Sequence, residues 1–136
     1  MKDLYLLAYQ LIAGVSDAST GALLIVAPVF TIRMMGMSVP RDATPFLSFI
    51  GAFVLAVGIS YLYGALLIHR TGGVPRLEAV WLLTAIIRSS VAIFILAAVL
   101  SGTLPAGWLT IAVFDGICVF IQASGLRRGW LSHVTH

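Results

Sequence analysis

The sequence predicts an all-α membrane protein in which four transmembrane helices form one up-down-up-down bundle. Of its 136 residues, 60% are hydrophobic and only 10% are charged, whereas about a quarter of the residues are charged in an average soluble domain. The apolar residues form four continuous runs, and each is long enough to cross a bilayer as a helix of about 20 residues. The runs lack the apolar and polar alternation of barrel strands. We therefore expect a single transmembrane domain over residues 1–136.

The predicted spans are separated by segments rich in helix breakers. They cover about residues 4–28, 45–68, 77–100 and 106–126. The second and third connections are short, so consecutive helices there should be antiparallel. The first connection is longer and contains Met34, Met35 and Met37. It is interpreted either as an amphipathic segment on the membrane surface or as a disordered loop.

The basic residues near the span ends predict the orientation. Lys2, Arg70, Arg76, Arg127 and Arg128 fall on one side of the membrane, and the other side holds Arg33 and Arg41. Loops rich in Lys and Arg stay in the cytoplasm. The sequence therefore predicts a multi-pass protein of the inner (cytoplasmic) membrane with both termini in the cytoplasm. Its basic residues form no continuous face, which argues against a nucleic-acid partner.

Three ionisable residues fall near the middle of three different spans. They are Asp17, Arg88 and Asp115. A charge at the bilayer centre costs about 2.5 to 3.5 kcal/mol on insertion scales, and an arginine cannot lose its proton. We therefore expect Arg88 to point into the bundle and to pair with Asp17, with Asp115 or with both.

Polar and small residues lie at helical spacing around these charges. Gln10, Thr20, Thr84 and Gln122 are predicted to support the charge cluster. Glycines permit close approach of membrane helices. The predicted packing positions are Gly14 and Gly21 in the first span and Gly51 and Gly58 in the second.

The charge cluster has two interpretations. In the first, it is an ion pair that fixes the order and rotation of the helices. In the second, the surplus negative charge of two acids and one arginine binds a proton, a cation or a polar ligand.

No catalytic residue, metal site or cofactor is predicted. The sequence contains no phosphate loop, nucleophile elbow or HExxH pattern. His69 is interpreted as a loop residue rather than a haem or chlorophyll ligand, although contact with lipid, quinone or pigment stays open. His133 and His136 are interpreted as part of a solvated tail rather than as metal ligands.

The first two spans resemble those of the DoxX-like group of small four-helix membrane proteins. The similar residues are Gly14, Gly21, Ala27, Pro28, Gly51, Ala52, Phe53 and Gly58. Some members of this group are linked to quinone-dependent sulfur oxidation, so the resemblance permits an association with a respiratory chain. It assigns no functional residue to this sequence.

The sequence is compatible with three functions. The favoured one is a non-catalytic subunit that packs against itself or against a larger, energy-transducing membrane complex, with the lipid bilayer as its other partner. The alternative is a small proton-coupled carrier or ligand-binding protein that uses Asp17, Arg88 and Asp115. The third is a membrane redox protein acting on quinone.

Overall fold

The computed structural model describes residues 2–133, and these residues form helices and turns without a strand. The helices are α1 (Lys2–Val26), α2 (Pro28–Met34), α3 (Thr44–Leu67), α4 (Val74–Leu100) and α5 (Leu109–Arg127). Short 3-10 turns cover Arg41–Ala43, Ala106–Trp108 and Trp130–His133. Helices α1, α3, α4 and α5 are long and apolar enough to cross a membrane. The predicted all-α class and the four spans are therefore confirmed, and the chain is a multi-pass membrane protein.

Two prolines set helix boundaries that differ from the predicted ones. Helix α1 ends at Val26, because Pro28 disfavours helical geometry in the preceding residue, and Ala27 has φ −140°. Pro28 then starts α2, so a helix occupies the first part of the predicted first connection, up to Met34. Helix α4 begins at Val74, earlier than expected, because Pro75 occupies its first turn, where the missing N–H has no cost.

The helices group into two compact units, unit 1 (Met1–Arg70) and unit 2 (Thr71–His136). In unit 1, α1 and α3 pack against each other in antiparallel directions, with Gly14 beside Leu62 and Gly51 beside Leu24. In unit 2, α4 and α5 are also antiparallel, since Trp81 lies beside Gly125. Each unit is thus a hairpin of two membrane-spanning helices.

Glycines bring the backbones of α1 and α3 into contact in unit 1. A Cβ atom added to Gly21 would lie 2.3 Å from the backbone nitrogen of Leu55, and one added to Gly58 would lie 2.3 Å from that of Ala18. Real Cβ atoms do not approach backbone so closely. Any larger residue at these positions therefore has to push the two helices apart.

The outer surfaces of both units are apolar. Exposed positions include Phe46, Phe53, Ile93, Leu100 and Phe120. Such a surface is unfavourable in water but is solvated by lipid chains in a bilayer. The charged and amide side chains near the middle of the spans are instead buried, and they are described next for each unit.

Candidate functional site

An ion pair joins the two helices of unit 2 within their membrane-spanning segments. Arg88 of α4 donates from Nη1 to Oδ1 of Asp115 on α5. Both residues are buried, with 4% of Arg88 and 7% of Asp115 exposed. Because a guanidinium in hydrocarbon needs an anion or water, this carboxylate supplies the countercharge that the sequence predicted for Arg88.

An aromatic ring also lies against the arginine. The guanidinium carbon of Arg88 lies 5.3 Å from the ring centroid of Phe114. A cation is attracted to the negative face of such a ring. Phe114 directly precedes Asp115 in α5, and sequence reasoning did not assign it a role.

A hydrogen bond between buried side chains connects the same two helices at a second level. Gln122 donates from Nε2 to Oγ1 of Thr84 over 2.6 Å. Thr84 in turn donates to the backbone carbonyl of Val80 over 2.7 Å. We call Arg88, Asp115, Thr84 and Gln122 the polar row. Sequence spacing placed these residues on inward faces, but it did not reveal that Thr84 and Gln122 bond to each other.

The polar row contains an acceptor that no described residue satisfies. Gln122 is 0% exposed, and its Oε1 atom has no hydrogen-bond partner among the described residues. A buried polar group without a partner costs about 1 to 3 kcal/mol. An unpaired buried oxygen in a native structure often indicates a bound water or ligand.

Cys118 lies between Asp115 and Gln122 along the same face of α5. It is buried and is not part of a disulfide. Cys118 therefore lies between the two polar levels of the row.

Unit 1 holds the remaining predicted site residues. Asp17 is buried on α1 and Thr20 is half-buried. The predicted pairing of Asp17 with Arg88 stays a prediction. Gln10 is 0% exposed, and neither atom of its side-chain amide has a hydrogen-bond partner within the described chain.

A tyrosine pair that sequence reasoning missed lies next to Gln10 in unit 1. The hydroxyl oxygens of Tyr9 and Tyr61 are 3.2 Å apart, and their rings meet edge to face with centroids 5.8 Å apart. Little in the sequence indicates this contact, because Tyr61 lies in a span with no central charge. This pair links α1 to α3 on a face that also carries small residues.

The histidines and acids offer little for metal binding. His69 is exposed just after α3, and His136 lies outside the described residues. Within residues 2–133, no group of three or more His, Cys, Asp or Glu residues is arranged to hold a metal ion.

Comparison of the chain with protein-family models, with curated proteins and with solved structures found no match. Function is therefore inferred from the geometry of the polar row. The row offers a fixed charge pair and an unpaired carbonyl oxygen in a setting of low dielectric. Such a setting strengthens hydrogen bonds to a group that enters it.

Proposed function

We propose that this protein is a small ligand-binding or carrier membrane protein that holds water or a small polar solute against the polar row. The observation that carries the proposal is the unpaired Oε1 atom of Gln122 at 0% exposure. Its amide nitrogen already bonds to Thr84, so the oxygen is held in place. It accepts a hydrogen bond from a donor that enters the row.

The chemistry of the row limits the ligand. Gln122 offers an acceptor oxygen, whereas Arg88 and Asp115 neutralise each other within unit 2. A neutral solute that donates a hydrogen bond therefore fits better than an anion. Water is the smallest such molecule, and polar residues within membrane spans commonly line water-filled paths.

The proposal is tested by measuring water access to the glutamine side chains. The sequence contains only Gln10 and Gln122, so protein with ¹⁵N-labelled glutamine gives two side-chain amide signals in lipid nanodiscs. If the row holds water, the Gln122 amide protons exchange with D₂O within seconds to minutes, although the residue lies within a membrane span. Addition of glycerol or urea as small donor solutes shifts the same signal.

Two variants assign the signals and serve as controls. Gln122→Leu removes one signal, and Gln10→Leu removes the other. Thr110→Val changes a hydroxyl that bonds only to the backbone of Gly107 on the exposed side of α5, so it leaves both signals unchanged. A Gln122 amide that resists exchange for days and responds to no solute would show a dry, static pair and would refute the proposal.

The second candidate function is the non-catalytic subunit. The support for this function is that the four spans occupy most of the described chain and that their outer surfaces are apolar. The described residues therefore contribute little mass outside the bilayer. Cross-linking in native membranes tests this function: a defined oligomer or a constant partner supports it, and a monomer surrounded by lipid contradicts it.

We further propose that both termini face the cytoplasm and that the membrane is the inner one. The support is the excess of Lys and Arg at that side of the spans. A fluorescent or enzymatic reporter fused to each terminus measures this orientation. Activity of a periplasmic reporter at either terminus would contradict it.

A further inference from the structure

One end of unit 2 carries a group of exposed arginines. Arg76 lies in the first turn of α4, and Arg127 and Arg128 lie at the end of α5. All three are exposed. Because α4 and α5 are antiparallel, these residues lie at the same end of the hairpin. We call them the arginine end.

The arginine end is structured, because the chain folds back directly after it. Gly129 has φ +61°, a conformation that glycine adopts without strain. The turn that follows packs onto the hairpin, with the rings of Trp81 and Trp130 both against Gly125. Leu131 is buried there, with 1% of it exposed. The backbone of Arg128 is thus held by structure on both sides.

The charge at this end is largely unbalanced. Glu78 is the one acidic residue that the sequence of unit 2 places there. Arg127 and Arg128 follow one another at the C-terminus of α5, where basic side chains also interact favourably with the helix dipole. The helix dipole accounts for Arg127 in the last turn of α5. It does not account for Arg76, because Arg76 lies at the start of α4, where the dipole disfavours a positive charge.

We propose that the arginine end binds the headgroup of an anionic phospholipid. Arginine binds phosphate through two parallel hydrogen bonds. The ends of membrane-spanning helices lie at the depth of the lipid headgroups. Trp130 is half-exposed beside the arginines, as is typical of residues anchored at the membrane interface. The charge, the depth and the aromatic neighbour all fit a lipid phosphate.

The test is retention of lipid by the full chain in detergent, measured by native mass spectrometry. Phosphatidylglycerol is compared with the zwitterionic phosphatidylcholine, and each is titrated separately. A basic residue near an anionic surface changes binding by roughly five-fold. The R127Q/R128Q variant should therefore bind phosphatidylglycerol roughly thirty-fold more weakly, and R76Q roughly five-fold more weakly.

A matched control lies in unit 1, in the connection that the sequence predicts on the other side of the membrane. R33Q/R41Q also removes two exposed arginines and should leave the affinity for phosphatidylglycerol unchanged.

The proposal is overturned if both lipids bind equally, or if R33Q/R41Q weakens binding as much as R127Q/R128Q. It is also overturned if inorganic phosphate at the same concentration displaces the lipid completely, because the site then recognises free phosphate. Circular dichroism of each variant shows whether it is folded, and R76Q provides a single substitution should the double variant unfold.

Discussion

The two helical hairpins of this protein are held together in different ways. In unit 1, glycines let the backbones of α1 and α3 touch, and Gly21 and Gly58 have no room for a Cβ atom. In unit 2, side chains of α4 and α5 meet through the Arg88–Asp115 ion pair and the Thr84–Gln122 hydrogen bond. A membrane offers no hydrophobic force between helices, so packing and polar contacts must supply the association. In this chain, backbone contact dominates in unit 1, where the Tyr9–Tyr61 pair adds one polar contact, and side-chain polar contacts join the helices of unit 2.

The two means have different consequences for function. Backbone contact at Gly21 and Gly58 leaves no space between the helices there, so this part of the α1–α3 contact cannot admit a ligand unless the helices separate. Polar contact tolerates exchange, because a water or a solute can replace one hydrogen-bond partner with another. The polar contacts of unit 2 can therefore exchange partners without moving the helices apart, and the following variants test this contrast between the two hairpins.

The largest effect is expected from Asp115→Leu. The variant removes the carboxylate that neutralises Arg88, and loss of one partner of a buried ion pair costs about 3 to 5 kcal/mol. The Arg88→Leu/Asp115→Leu variant should recover most of this free energy of unfolding, because an apolar replacement of a whole buried pair is often neutral. Unfolding in mixed micelles containing sodium dodecyl sulfate measures both. A loss in the double variant equal to the sum of the losses in Asp115→Leu and Arg88→Leu would show that the two residues are not coupled.

A smaller effect is expected from Gly58→Ala in unit 1. The added Cβ atom would lie 2.3 Å from the backbone nitrogen of Ala18, and such overpacking costs about 1 to 3 kcal/mol. Gly116→Ala is the control, because a Cβ atom there meets nothing within 4 Å. Alanine in a helix interior is favoured over glycine by about 0.5 to 1 kcal/mol, so the control should become slightly more stable. The same unfolding measurement applies, and equal stability of the two variants would remove the argument for backbone contact.

The smallest effect is expected from Tyr9→Phe. It removes the hydroxyl that lies 3.2 Å from the hydroxyl of Tyr61, and a hydrogen bond of this kind contributes about 0.5 to 1.5 kcal/mol. Tyr63→Phe removes a hydroxyl from an exposed residue of the same helix as Tyr61 and should change little. A larger loss in Tyr63→Phe than in Tyr9→Phe would mean that unit 1 does not depend on this polar contact.

Much of the fold could be predicted from the sequence, because span length and hydropathy follow directly from the thickness of a bilayer. The central depth of Arg88 and Asp115 followed from counting residues along each span. Helical spacing also placed Gly21 and Gly58 at packing positions. These features depend on one helix at a time, so a single sequence contains enough information for them.

Features that depend on two helices at once were harder to predict. The Thr84–Gln122 bond requires the register of α4 against α5, which hydrophobic spacing does not set. The fold-back of Trp130 onto Gly125 requires the positive φ of Gly129, and a glycine in a polar tail is compatible with many conformations. The start of α4 was misplaced because Pro75 was interpreted as a loop residue, although proline is common in the first turn of a helix.

Backbone contact between α1 and α3 also bears on how the chain enters the membrane. Helix α1 leaves the ribosome before α3, yet it has the lowest mean hydropathy of the four spans described and it buries Gln10 and Asp17. Its glycine face meets its complement only after α3 has been synthesised. We therefore expect α1 to remain beside the insertion machinery until α3 has been synthesised, so that the two helices enter the lipid as a pair.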